Sequence, residues 1–412
     1  MKTTDSEAVA VQPSSYRWVI VGMLMITYVG AYLTTFSQGI LLPSISDSLN
    51  LSPSQQGWLG SAVVLGSLVL AIPLGWWLSN YNANILVNIT LFLGALLVFG
   101  QGWAPTFAVL LIVRVLFGLT LVARESPRAI LTQQWIPPKQ IVVVNSAIMA
   151  TMAIGVLASM VLTPVILKAL DNDWRGTFQI FGFISLGMAV LWLALGRQRM
   201  TPEYRKQLRD QEQSPLRSIL RYPTLWIAGL ALIGASVSWF AIITFWPTYM
   251  LDKFDLSLQT SGAILGISPV FTVLGAMVGA YLVVRKDLKR EIFILCGLLL
   301  TGSFWAMLAT SSIPVLVVTS AINGLGWAFF PLILSLPFQL PGIKPRELAV
   351  AVMFLEAAGW AGGAIGPVLT GLVQEFSDSL GLSLFIASSF GFVTTIGGLL
   401  LPRRRPVTVA LE

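Results

Sequence analysis

Apolar residues in this chain gather in long runs, and the polar positions fall mostly between the runs. A helix rises 1.5 Å per residue, so about 20 apolar residues cross a bilayer. Twelve runs reach that length: 17–42, 56–79, 83–103, 106–134, 140–168, 176–196, 223–251, 260–284, 290–311, 313–338, 346–374 and 379–401. Short breakers such as Gly102 to Pro105 and Ser311 to Pro314 divide adjacent runs. A transmembrane barrel would show alternating strands of about ten residues instead. The pattern therefore predicts an all-α membrane protein with twelve transmembrane helices.

The two halves of the chain repeat each other. Leu51-Ser52 with Gly57 recurs as Leu256-Ser257 with Gly262. Pro43 recurs as Pro247, Gly75 as Gly279, Pro127 as Pro331, Pro137 as Pro341, Gly155 as Gly359 and Pro164 as Pro367. An almost constant offset near half the length predicts two pseudo-symmetric six-helix bundles, a parallel repeat about an axis along the membrane normal. The expected division is a tail over 1–16, a first bundle over 17–196, a polar linker over 197–222, a second bundle over 223–401 and a tail over 402–412.

Composition supports this division and excludes other classes. The 412 residues are 56% hydrophobic and 10% charged, whereas a soluble domain is about a quarter charged. The net charge of +7 does not point to nucleic acid, because the bases sit in short loops on one side. Lys2, Arg17, Lys139 and the bases of 197–222, 285–290, 344–346 and 403–405 share that side; Lys168, Arg175 and Lys253 hold the other. Positive charge favours the inner face, so both termini are expected to be cytoplasmic, in the plasma (inner) membrane. The linker's bases would meet anionic lipid.

There is no histidine and a single cysteine, Cys296. Histidine-based catalytic pairs are therefore absent, and no disulfide framework exists. No Gly-x-x-x-x-Gly-Lys-Ser/Thr loop binds nucleotide. Neither a cofactor nor a metal is expected, and a monomer is expected.

One run departs from the apolar rule. Between Arg114 and Pro138 stand Arg114, Arg124, Glu125 and Arg128. On a continuous helix turning 100° per residue, all four fall within an arc of about 100°. Charges inside a membrane helix must face a partner, a bundle interior or water. The stripe thus predicts one wall of a polar cavity.

Several segments resemble the major facilitator superfamily. They are LLPSISDSLNLSPSQQGWLGSAVVLGSLVLAIPLGWWL, the Arg114 and Gly118 spacing before Pro127, Trp135 and Pro137-Pro138, and Asp173-Trp174-Arg175. Phe245-Trp246-Pro247-Thr248-Tyr249 and Gly363-Ala364-Ile365-Gly366-Pro367 belong with them. The resemblance covers nearly the whole chain and leans to the anion:cation symporter branch. It implies two bundles rocking about a central site, and a small organic anion carried with protons. The loop after the second helix departs from the family pattern: Ser79 stands for its acid, and Asn80, Ala83 and Asn84 for its bases. The second half keeps Arg285, Lys286, Lys289 and Arg290 but has Val283 at the acid position. Inner gating would then rest on packing, amide bonds, or Arg124, Glu125 and Arg128.

Candidate site residues follow from depth and chemistry. Arg114, about 12 Å below the outer end of its helix, would hold an anionic substrate, or would bond backbone carbonyls of a neighbour. Glu356, near the midplane, is the first candidate for proton coupling, because a carboxyl in a low-dielectric site can take up and release a proton. Glu125 is the second, and would pair with Arg128 three residues on; Arg124 and Arg128 are candidate gating residues. Tyr28, Tyr32, Trp239, Asn323, Trp327 and Trp360 are candidate substrate contacts, and Gln38 is a further possible cavity residue.

The expected function is secondary active transport of a small organic anion by alternating access, coupled to an ion gradient, protons first. Glu356 with many aromatics would equally suit efflux of cationic or lipophilic compounds. A transport-silent receptor or scaffold is the alternative from another class, and the altered loop after the second helix is its support.

Overall fold

The computed structural model describes residues 15–78, 82–197, 221–286, 288–340 and 345–401. Much of the expected linker and tails, with Ser79 and Asn80, lies outside the described residues. Those described are helical, without strands. In lipid a helix satisfies its backbone polar groups internally, which leaves little alternative for such runs.

The spans are α1 (Arg17–Leu49), α2 (Pro53–Leu78), α3 (Ala83–Trp103), α4 (Phe107–Val122 continued by Glu125–Trp135), α5 (Pro138–Ala169) and α6 (Trp174–Leu195). The second half holds α7 (Pro223–Phe254), α8 (Leu258–Lys286), α9 (Lys289–Ala309), α10 (Ile313–Phe338), α11 (Pro345–Ser377) and α12 (Leu380–Leu400). Eleven helices of the described residues qualify as spans by length and hydropathy; α2, 26 residues long, brings the number to the predicted twelve.

Helix ends are set by local chemistry. The side chains of Asn82, Thr106, Asp173 and Ser379 cap α3, α4, α6 and α12 by accepting from backbone N–H groups. This satisfies donors that a helix start leaves open. The described non-glycine residues with positive φ are Asn50, Asp171, Asn172, Asp255 and Asp378. All are Asn or Asp, which tolerate the left-handed region. They terminate α1, α5, α7 and α11, which are repeat mates in pairs. The repeat seen in the sequence is therefore present in backbone conformation.

The two bundles pack internally around separate apolar clusters. A further cluster joins them. It mixes Phe36, Ile40 and Met160 of the first bundle with Ile242, Phe245, Trp246 and Ile264 of the second. With twelve crossings, Arg17 at the start of α1 and Leu400 at the end of α12 lie on one face, here called the terminal face, and the shared cluster lies in the opposite half of the membrane. We call that half the sealed half.

The seal is a close approach of backbones. A Cβ on Gly57 of α2 would lie 2.5 Å from the carbonyl oxygen of Pro367 in α11, and one on Gly371 would lie 3.0 Å from the Cα of Gly57. Only glycine permits that approach. The Ser61 hydroxyl donates to the Ala364 carbonyl at 2.6 Å. Glu375 of α11 accepts from the Ser54 N–H at 2.9 Å, at the N-terminal end of α2, where a helix favours an anion.

Candidate functional site

The polar centre is built by α1 and the lower piece of α4. Tyr28 donates its hydroxyl to Oε1 of Glu125. Arg128 donates Nε at 3.0 Å and Nη2 at 2.8 Å to Oε2 of the same carboxylate. Glu125 sits in the first helical turn and Arg128 one turn later, so helix geometry holds the pair. The Arg128 guanidinium also lies 5.6 Å from the Tyr28 ring centroid, a cation–π distance. The Glu125 side chain is 45% exposed and that of Arg128 16%, so the cluster has a wet edge.

Glu356 of α11 faces this cluster from the other bundle. It is exposed, and its charge acts on Glu125, Arg128 and Tyr32. A residue that is exposed and also within electrostatic reach of the opposite bundle borders a gap between them. Among the described residues Glu356 has no ion pair. With the opposite half sealed, Glu356 and the cluster stand on the terminal side of the seal.

Aromatic rings roof the gap. Tyr28 stacks on Tyr32 at 6.3 Å, Tyr32 meets Phe36 at 5.5 Å, and Phe36 meets Trp239 edge-on at 5.2 Å. Trp239 contacts Phe240 at 5.0 Å and Trp327 at 6.2 Å. The chain of rings thus runs from α1 through α7 to α10 and crosses between bundles. The buried indole N–H of Trp327 has no partner. Trp360 is half-buried, one turn beyond Glu356 on α11. Phe36 and Phe240 were not among the sequence candidates; nothing in an apolar run distinguishes a roofing ring from a core ring.

Three expected gap residues lie elsewhere. Arg114 is 1% exposed and donates Nη1 to Oε1 of Gln101 on α3 at 2.8 Å. It belongs to the interior of the first bundle. Arg124 also turns into that bundle: its Nε donates to the Thr120 carbonyl at 3.2 Å. Its side chain borders a small void with Thr27, Gly94 and Met188. The expected stripe of four assumed one continuous helix, whereas α4 breaks at Ala123–Arg124. The break leaves Glu125 and Arg128 toward the gap and separates them from Arg114. Asn323 is 1% exposed and is bonded by Ser268 and to Ser303, in the core of the second bundle. It stands one turn before Trp327, but a 3-10 turn over Gly326–Phe329 breaks the shared face.

Asn84 shows what the altered loop does within one bundle. Its amide donates to the Gly196 carbonyl at 3.2 Å and accepts from Trp192 Nε1 at 2.9 Å. It ties α3 to the end of α6.

Comparison with known proteins agrees with this fold. The family model described as Major Facilitator Superfamily matches residues 24–367. The hexuronate transporter of Bacillus subtilis is 22% identical over 381 residues, covering 89% of this chain and 90% of that protein. The probable L-galactonate transporter of Escherichia coli is 24% identical over 396 residues, covering 89% and 84%. Among solved structures, a bacterial homologue of the human lysosomal transporter Spinster superposes with a TM-score of 0.79 at 14% identity, covering 94% of this chain and 97% of that one. The nucleoside transporter NupG gives 0.74 at 16%, covering 94% and 98%.

Proposed function

Because the chain belongs to the Major Facilitator Superfamily, and is thus a multi-pass membrane transporter and not an enzyme, we propose that it carries a small organic anion by proton-coupled alternating access. Its relatives include carriers of hexuronate and L-galactonate, so sugar acids are the first class to test. The observation that carries the reading is the Tyr28–Glu125–Arg128 cluster, opposed by Glu356 across a gap on the terminal side of the seal.

In this reading Arg128 is the anion's anchor, a role first expected of Arg114. A guanidinium offers a planar fork of donors suited to a carboxylate. Arg128 is occupied by Glu125, so a substrate carboxylate competes with that glutamate. A proton on Glu125 removes the competitor and leaves the Tyr28 hydroxyl free to turn to the substrate. Proton and anion then enter together, and the charge of the site is conserved. Glu356 is a second proton carrier, whose charge in the empty gap weighs against an unaccompanied anion. The rings of Tyr32, Trp239, Trp327 and Trp360 cover the sugar's apolar faces, and the free Trp327 N–H is a donor for it.

The positive-inside bias supports cytoplasmic termini and a plasma-membrane location. The terminal face is then the cytoplasmic one. The reading is tested in proteoliposomes by uptake of a panel of sugar acids under an imposed pH gradient. Concentrative uptake that collapses with the gradient supports it. Uptake indifferent to the gradient rejects proton coupling, and no flux of any anion rejects the anion reading. Efflux of cations has one observation in its favour, the unpaired Glu356 among aromatics; competition by quaternary amines but not carboxylates would select it.

A further inference from the structure

We propose that Gln38 is a substrate-contacting residue of the opposite-facing state, hidden now in the sealed half and presented to a hydroxyl of the substrate when that half opens. The inference rests on the anion-carrier reading above and adds a site that the present gap does not contain.

Gln38 is 3% exposed, and neither Nε2 nor Oε1 has a hydrogen-bond partner. Gln101, Gln140 and Gln374 each bury one unmatched polar atom, but among the described glutamines Gln38 alone buries both. Gln56 donates to Ser46 at 2.7 Å, and Gln101 accepts from the buried Arg114. An amide buried with all its polar atoms unmatched destabilises the state that buries it. Such a group persists where another state uses it.

Its position names that state. Gln38 borders a void of about 10 Å³ lined also by Thr35, Gly60, Phe240, Ile243 and Thr244. The lining comes from α1 and α2 of one bundle and α7 of the other, so the void lies between the bundles. That volume holds at most about one water molecule. The two bundles must separate along this surface for the sealed half to open. A Cβ on Gly39, the next residue, would strike the backbone carbonyl of Ile243 across the seam.

Gln38 also sits immediately beyond the roof of the gap. It is two residues past Phe36, about 3 Å along the helix axis, and just after the helix break at Ser37. The same rings that close the present gap would floor the opposite vestibule. Buried hydroxyls without partners occur on other helices that meet across the seal: Thr163 of α5, Thr248 of α7 and Ser261 of α8. These few unmatched polar atoms are set into a largely apolar seal, at the positions that water or substrate would reach once the half opens. An amide both donates and accepts, which matches a hydroxyl group better than a second carboxylate would.

The test uses the full-length protein in liposomes, with radiolabelled D-glucuronate presented to either face. Gln38→Leu should raise the apparent KM from the sealed face about tenfold. From the terminal face the change should stay below about twofold, since that gap does not contain the amide. A structural role would move both values or neither, and either outcome overturns the proposal. In parallel, Gln38→Cys should react with a membrane-impermeant thiol reagent applied to the sealed face and not to the terminal face. The native Cys296 is buried and gives a low background. Absence of modification from the sealed face overturns the proposal whatever the substrate. If the unaltered protein carries no glucuronate, the sugar-acid reading fails while the thiol result still decides whether position 38 is presented on the sealed face.

Discussion

Replacing Glu125 with glutamine separates a coupling role from a structural one. The side chain keeps its shape and can still accept from Tyr28, but the charge opposite Arg128 is lost. Two hydrogen bonds, at 2.8 and 3.0 Å, join the guanidinium to one carboxylate oxygen. Bonds to charged groups contribute about 1.5–3 kcal/mol. The carboxylate is 45% exposed, and solvent screening brings the figure to the lower end, about 1.5 kcal/mol. If the substrate must displace Glu125 from Arg128, Glu125→Gln removes that competition, and the KM for the anion should fall about tenfold. Concentrative uptake should fall sharply while exchange of labelled for unlabelled anion persists, because one of the two proposed proton carriers is gone but the anion site is intact. Uptake driven by a pH gradient and counterflow exchange, both in proteoliposomes, read these effects. A higher KM together with a lower unfolding temperature would refute the reasoning and make the pair a helix staple.

Three further outcomes follow from the packing. Arg114→Leu should lower the thermal stability of the purified protein by about 2–4 kcal/mol, since it strands the buried Gln101 amide; adding Gln101→Leu to Arg114→Leu should recover most of the loss in a double-mutant cycle read by thermal unfolding. Gly371→Val should prevent the close approach of α11 to α2, with an overpacking penalty of about 1–3 kcal/mol, and should shift impermeant-thiol accessibility toward the sealed face. Trp327→Phe keeps the ring and deletes the unpartnered N–H, so the KM should rise about threefold, the lower range for one hydrogen bond, with no change in unfolding temperature.

The architecture was legible because lipid leaves the backbone few options, so hydropathy alone located all twelve helices. The repeat was legible in its glycines and prolines, and the structure adds the Asn and Asp residues that end matching helices. The site was only partly legible. Tyr28, Glu125, Arg128 and Glu356 come together, yet Arg114 and Asn323 do not join them. Their assignment assumed uninterrupted helices, and breaks at Ala123–Arg124 and Gly326–Phe329 altered the faces. Helix breaks in apolar runs have weak sequence signals, since neighbouring helices supply the missing bonds. Gln38 was legible as a possible cavity residue but its burial in the seal was not, because that depends on which half of the molecule is shut.

The glycine contact of Gly57 with Gly371 has a mechanical consequence. Two smooth main-chain surfaces can part without any side chain changing rotamer, so no interlocking knob must first be withdrawn. The resistance to separation at this contact then comes from many small dispersion contacts and from the hydrogen bonds of Ser61 and Glu375 on either side of it. Such a joint behaves as a plain bearing, with little friction in either direction at the point where the two glycines meet.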